Sequence, residues 1–156
     1  MSPLGRRIKR SRKGGIDVRL PEDEREFLRS LAPQMREAFG ASDDVAVGRL
    51  FPDAYPDDPD RQTEYRLLAH TELLDSHLAA LATLEESVDA QHLDQEHADA
   101  WMRAINEVRL VLGVRLDVSE EGFERPTDRA DPRIPAFAAY DYLSMLQGEL
   151  VEALAG

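Results

Sequence analysis

One run of side chains restricts the folds open to this chain more than any other. From about Asp60, Leu67, Leu74, Leu78, Leu81 and Val88 recur at spacings that align them on one stripe of a helix close to thirty residues long. Such a stripe needs other apolar faces to cover it, because helices in water owe most of their stability to packing. Trp101, Ile105, Val108 and Leu112 follow at spacings of 4, 3 and 4, behind Asp94 as N-cap and ahead of Gly113 as a stop. Behind Pro135, the residues Tyr140, Leu143, Leu146, Leu150 and Leu154 share a further face. Pro21, followed by Glu22, Asp23 and Glu24, opens a helix in which Leu28, Leu31, Met35 and Phe39 recur until Gly40. Pro33 falls inside that pattern and is expected to kink or break it.

The remaining segments read as connections. Asp43-Asp44 can start a short helix through Leu50. Pro52, Pro56 and Pro59 then make a rigid loop in which Phe51 and Tyr55 act as anchors. Residues 117–133 are polar, with Gly122, Pro126 and Pro132, and read as a loop. Ahead of the helices, Ile16, Val18 and Leu20 alternate with Asp17 and Arg19, and Gly14-Gly15 supplies the positive φ that a tight hairpin needs. The expected fold is mostly α: a compact helical domain of four main helices plus one short helix, with a candidate N-terminal β-hairpin. A length of 156 residues with 42% apolar side chains suits one such domain across 1–156.

Charge is divided unevenly. Residues 1–15 hold Arg6, Arg7, Lys9, Arg10, Arg12 and Lys13 and no acid, whereas the other 141 residues hold 13 bases against 31 acids, a balance of −18. A body of that charge repels a polyanion, so groove-wide nucleic-acid binding is not expected. Phosphate contact is open only to these six cations of the basic N-terminal segment, which spans residues 1–20. The competing reading is a charged edge strand that resists aggregation, or a disordered start. No apolar run approaches the ~20 residues that span a bilayer, and no signal-peptide core follows the basic start. No membrane contact is expected, and the chain reads as cytoplasmic.

The usual carriers of chemistry are sparse. There is no cysteine, which removes disulfides, thiolate nucleophiles and Cys-ligated metals. His70, His77, His92 and His97 are the general-base and metal candidates, yet none pair at i,i+3 or i,i+4. His70 and His77 lie two turns apart, about 10.5 Å at the helical rise, which is too far for one metal. No nucleophile elbow, phosphate-cradling loop, dinucleotide fingerprint or zinc-protease motif occurs. The acidic runs at Glu22–Glu26, Asp57–Asp60 and Glu85-Glu86 lack the calcium-loop pattern. Asn106 and Arg109, set within the apolar face of the Trp101 helix, read either as satisfied internal groups or as a partner contact. The expectation is a non-enzymatic protein with no cofactor and no metal. A weaker enzyme reading centres on His70, His77 or the Asn106–Arg109 pair.

Three strings carry a family likeness. They are Val45-Ala-Val-Gly-Arg-Leu-Phe-Pro-Asp-Ala-Tyr-Pro-Asp-Asp-Pro59, Trp101-Met-Arg-Ala-Ile-Asn-Glu-Val-Arg-Leu-Val-Leu-Gly-Val-Arg-Leu116, and Asp131-Pro-Arg133 with Tyr140-Asp-Tyr-Leu143 and Leu146-Gln147. Together they resemble the actinobacterial family known as domain of unknown function 2017, over nearly the whole chain. The family includes an oxidative-stress transcriptional regulator. The resemblance therefore implies a cytoplasmic regulator that touches the transcription machinery, with RNA polymerase or a sigma factor as partner. Redox sensing in that relative is tied to a thiol pair, which this chain lacks. Arg49, Phe51 and Tyr55, with Asn106 and Arg109, are the candidate docking residues, because aromatics and arginine concentrate at interface hot spots. The alternative is a direct DNA binder using the basic segment, or a structural adaptor. Apolar residues beside the main stripe, namely Leu68, Leu73 and Leu84, leave a second face that a homodimer would bury.

Overall fold

A computed structural model describes residues 5–40, 58–118 and 124–155, with the side chains of 62–71 excluded. The expected short helix to Leu50, the proline loop before Asp58, and Arg49, Phe51 and Tyr55 lie outside the described residues. Within them the chain runs β1 (Ile8–Arg10), β2 (Ile16–Val18), α1 (Glu22–Gly40), α2 (Pro59–Ser87), β3 (His92–Leu93), α3 (Gln95–Arg115) and α4 (Ile134–Ala155). The mostly helical expectation holds, with four long helices. The hairpin is real but belongs to a three-stranded antiparallel sheet in the order β1-β2-β3. In it Ile8 pairs with Val18, and Ile16 pairs with both Arg10 and Leu93.

The hairpin forms where the glycines allow it. Gly14 and Gly15 sit at φ +89° and +70°, and Ser11 closes the turn by donating from its N–H to the Gly15 carbonyl at 3.0 Å. Gly15 serves a second purpose. A Cβ there would fall 2.1 Å from the Leu93 carbonyl, so only glycine lets β3 approach. Strand β3 escapes the sequence reading because two residues carry no period.

Helix α1 runs unbroken through Pro33. The proline stands on the exposed face, while Leu28, Leu31, Ala32 and Met35 bury the opposite side. Packing on both flanks outweighs the single hydrogen bond that the ring removes. Pro21 lies one residue before the helix, its carbonyl accepting from the N–H groups of Glu24 and Arg25. Pro59 opens α2 instead of closing a loop, with Asp58 capping by accepting from the Arg61 N–H at 3.2 Å. Asp94 caps α3 as expected, accepting from the His97 N–H at 2.8 Å. Gly113 is not the stop. It is buried inside α3, where an added Cβ would lie 3.5 Å from the Tyr140 ring, and the left-handed residue after the helix is Asp117 at φ 58°.

The core is one contiguous cluster. Helix α2 packs on both α1 and α3, α3 on α4, and α4 against β1. The α2 stripe is rotated from the expected one. Its buried residues are His77, Ala80, Leu81, Leu84 and Val88, whereas Leu74 and Leu78 are half-buried. Leu84, read from the sequence as part of a second face, is fully enclosed. The side chains of Leu67 and Leu68 lie outside the description. No helix of the described residues is long and apolar enough to cross a membrane.

Candidate functional site

Strand alternation sorts the sheet into two faces. Ile8, Ile16, Val18 and Leu93 enter the core, and Arg7, Lys9, Asp17, Arg19 and His92 occupy the alternate positions. Lys9, Asp17 and His92 form one row across the three strands, and Arg7 stands beside Arg19, whose N–H donates to the Arg7 carbonyl at 2.7 Å. This outer face floors a concave basin of about 770 Å³. Arg6, Arg7, Lys9, Lys13, Arg19 and Arg25 line it, and Asp17 is the one carboxylate among its lining residues.

The hairpin is fastened to the helices by charge. Arg7 donates twice to the Glu24 carboxylate, at 3.0 and 2.8 Å, and the Tyr142 hydroxyl donates to the same group at 2.6 Å. Burial works to raise the Glu24 pKa, but the bonds from Arg7 and Tyr142 outweigh it and the carboxyl is held below its ordinary value. Burial, with the Glu24 contact added, pushes the Tyr142 phenol well above its usual range. On the other side the backbone N–H groups of Arg7 and Ile8 both donate to Glu149, at 2.7 and 3.1 Å. Arg6 pairs with Glu152 in an exposed position. Replacing Glu24 with Ala removes the shared acceptor of Arg7 and Tyr142. Amide exchange at Ile8 and Val18 should then speed up by an amount equivalent to about 1–3 kcal/mol of opening free energy. Unchanged exchange at those two amides would show that Glu24 does not hold the hairpin.

The six sequence-predicted phosphate contacts thus divide. Arg6 and Arg7 are engaged by Glu152 and Glu24. Lys13 lies close enough to Asp17 to depress its pKa slightly, the main cause there being the His92 hydrogen bond. Lys9, Arg10 and Arg12 are exposed and make no side-chain bond among the described residues. Arg19, outside the predicted set, is equally free, and Arg25 carries a half-buried guanidinium bound only to neutral carbonyls. Arg19 was accessible to sequence reasoning as the residue next to Val18 on the polar side of β2. Arg25 was not, since its partners Val88 and Ala90 are more than sixty residues away.

The second predicted pair sits between helices. Asn106 accepts from Gln147 at 2.9 Å, and the Arg109 Nε donates to the Ser144 hydroxyl at 2.8 Å while its guanidinium lies 5.3 Å from the Tyr140 ring centre. Both link α3 to α4 from half-buried positions. The His70 side chain lies outside the described ones; the three described histidines contact carboxylates, His77 with Glu107, His92 with Asp17 and His97 with Asp94. The hydrogen bond to Asp94 raises the His97 pKa. No group of three or more candidate ligands that could hold a metal occurs among the described residues.

The fold and its cationic face define a helical protein with a small sheet that presents positive charge on an otherwise acidic body. Residues 5–154 match the family described as domain of unknown function (DUF2017), and the chain belongs to that family. It is 31% identical over 157 residues to the oxidative stress regulator AosR of Mycobacterium tuberculosis strain H37Rv, a match covering 90% of this chain and 70% of that protein. The Mycobacterium bovis protein of the same name matches to the same extent. A Mycobacterium leprae protein provisionally given that name is 34% identical over 129 residues, covering 72% of this chain. The match spans 59% of the leprae relative's own length. No solved structure matches this chain.

Proposed function

We propose that this protein is a non-enzymatic cytoplasmic regulator that acts by contact with a protein partner, and that the tip of the basic hairpin makes the contact. The relatives' shared designation as oxidative stress regulators supports a regulatory role. The observation that carries the contact is the state of Arg10 and Arg12. Both are exposed and without a side-chain partner among the described residues, on a hairpin that Glu24 and Glu149 hold in place. A fixed cationic tip on a body of charge −18 attracts an acidic segment and repels an unselective polyanion. RNA polymerase or a sigma factor is the partner class. With no cysteine in the chain, the stress signal must reach this protein by a route other than its own thiols.

The test is capture of partners by the tagged protein from its native cytoplasm after nuclease treatment, beside an Arg10→Glu/Arg12→Glu variant. Enrichment of polymerase or a sigma factor, lost in the variant, is the expected result. Equal enrichment by both proteins would move the contact off the hairpin, and absence of both polymerase and sigma factor would end the proposal. DNA recovered only without nuclease, and lost on the same charge reversal, would favour the direct DNA binder.

A further inference from the structure

We infer that the basin over the outer face of the sheet is a binding site for a compact phosphate-bearing anion, the size of a mononucleotide polyphosphate. It goes beyond the partner contact and does not rest on it, because the basin uses Lys9, Arg19 and Arg25 and not the tip residues Arg10 and Arg12.

Three observations converge. The first is charge. Of the six cationic side chains that line the basin, Arg6 and Arg7 are paired with Glu152 and Glu24, which leaves Lys9, Lys13, Arg19 and Arg25 against Asp17, whose carboxylate is already engaged by His92 at 3.1 Å. A concave wall focuses such a field onto whatever enters. The second is the state of those cations. Lys9 and Arg19 stand at alternate strand positions on the same face with no side-chain bond among the described residues. They are available to an incoming oxyanion without breaking an existing pair. The third is Arg25. Its guanidinium donates to the carbonyls of Leu20, Val88 and Ala90, so three neutral acceptors fix its position and no carboxylate neutralises it. Those bonds use Nε and Nη1, which leaves the Nη2 amino group of a half-buried, positioned guanidinium, without a counter-ion, to donate to an incoming phosphate oxygen.

Size and surroundings select a compact anion. The basin's 770 Å³ falls within the ~300–1,000 Å³ typical of small-molecule sites. Glu22 and Asp23 follow directly on Pro21, which lines the basin, and the body beyond the hairpin is acidic, so an anion that extends past the sheet toward α1 meets repulsion. Charge reversal on that floor leaves the core untouched, because Lys9 and Arg19 are exposed.

The experiment is calorimetric titration of the full chain with pyrophosphate and ATP, with a short DNA duplex and with a polyglutamate peptide, at low and raised salt. The Lys9→Glu/Arg19→Glu and Arg10→Glu/Arg12→Glu variants are run alongside. Expected is binding of pyrophosphate or ATP that weakens with salt and falls at least about tenfold in Lys9→Glu/Arg19→Glu, while Arg10→Glu/Arg12→Glu retains it. If the duplex binds more tightly than pyrophosphate with the same dependence on Lys9 and Arg19, the phosphate chemistry stands and its source is a nucleic-acid backbone. Polyglutamate binding without pyrophosphate binding overturns the inference. So does silence from every anion, or pyrophosphate affinity indifferent to Lys9→Glu/Arg19→Glu. A wild-type protein that captures neither polymerase nor a sigma factor but still binds pyrophosphate would remove the partner proposal and leave this one standing.

Discussion

Glu107→Ala should destabilise the protein by about 3–5 kcal/mol, measured as a shift of the urea midpoint at constant m-value. Glu107 projects from α3 into the interior with 2% of its surface exposed. One of its oxygens meets the His77 imidazole and also accepts from the Arg103 Nε at 3.0 Å, whereas the other has no hydrogen-bond partner among the described residues. His77 is itself enclosed and stacks under Phe39 at 6.1 Å with the rings 9° apart. Removing the carboxylate takes one buried hydrogen-bond partner from the imidazole and the acceptor from the Arg103 Nε, and leaves a void between α2 and α3. The double variant His77→Leu/Glu107→Leu should recover most of the loss, since apolar pairs of similar volume replace buried polar pairs at little net cost. A double variant no more stable than Glu107→Ala would show that the pair does not act as a unit.

Trp101→Ala carries an effect of similar size, about 3–5 kcal/mol, because it deletes the largest fully buried side chain. The indole also closes a polar chain. Its N–H donates to the Ser87 hydroxyl at 2.7 Å, and that hydroxyl donates in turn to the Thr83 carbonyl in the last turns of α2. Trp101→Phe should therefore retain most of the packing while losing the Ser87 bond, and should fall between the wild type and the alanine variant. Equal losses for Phe and Ala would locate the whole effect in the hydrogen bond.

The sequence was most readable where cause and effect lie within a few residues. Asp94 and the apolar spacing behind it announce α3, because a cap and a helical period are local. Gly14-Gly15 announced the hairpin for the same reason. Gly113 misled because a glycine's freedom is only needed where φ turns positive, and here a buried helical position next to Tyr140 holds it. The rotation of the α2 stripe, with His77 and Leu84 inside, was hidden because an enclosed histidine needs a carboxylate thirty residues away. Of the site, the basic segment was plain as charge. Its division into engaged and free cations was not, since no local period aims Glu24 at Arg7, and Glu149 and Glu152 come from α4, more than 140 residues away.

The anchoring of the hairpin on α4 also sets an order of events during synthesis. Residues 8–18 leave the ribosome long before Glu149 and Glu152 are made, and N-terminal segments generally emerge free to sample structure first. Until α4 arrives, the N–H groups of Arg7 and Ile8 lack the carboxylate that closes this sheet edge, so the nascent chain carries an open strand and a cluster of unmated cations. The positively charged face therefore takes its final shape only once α4 has been made and has docked, and a chain arrested short of α4 would display it in a different form.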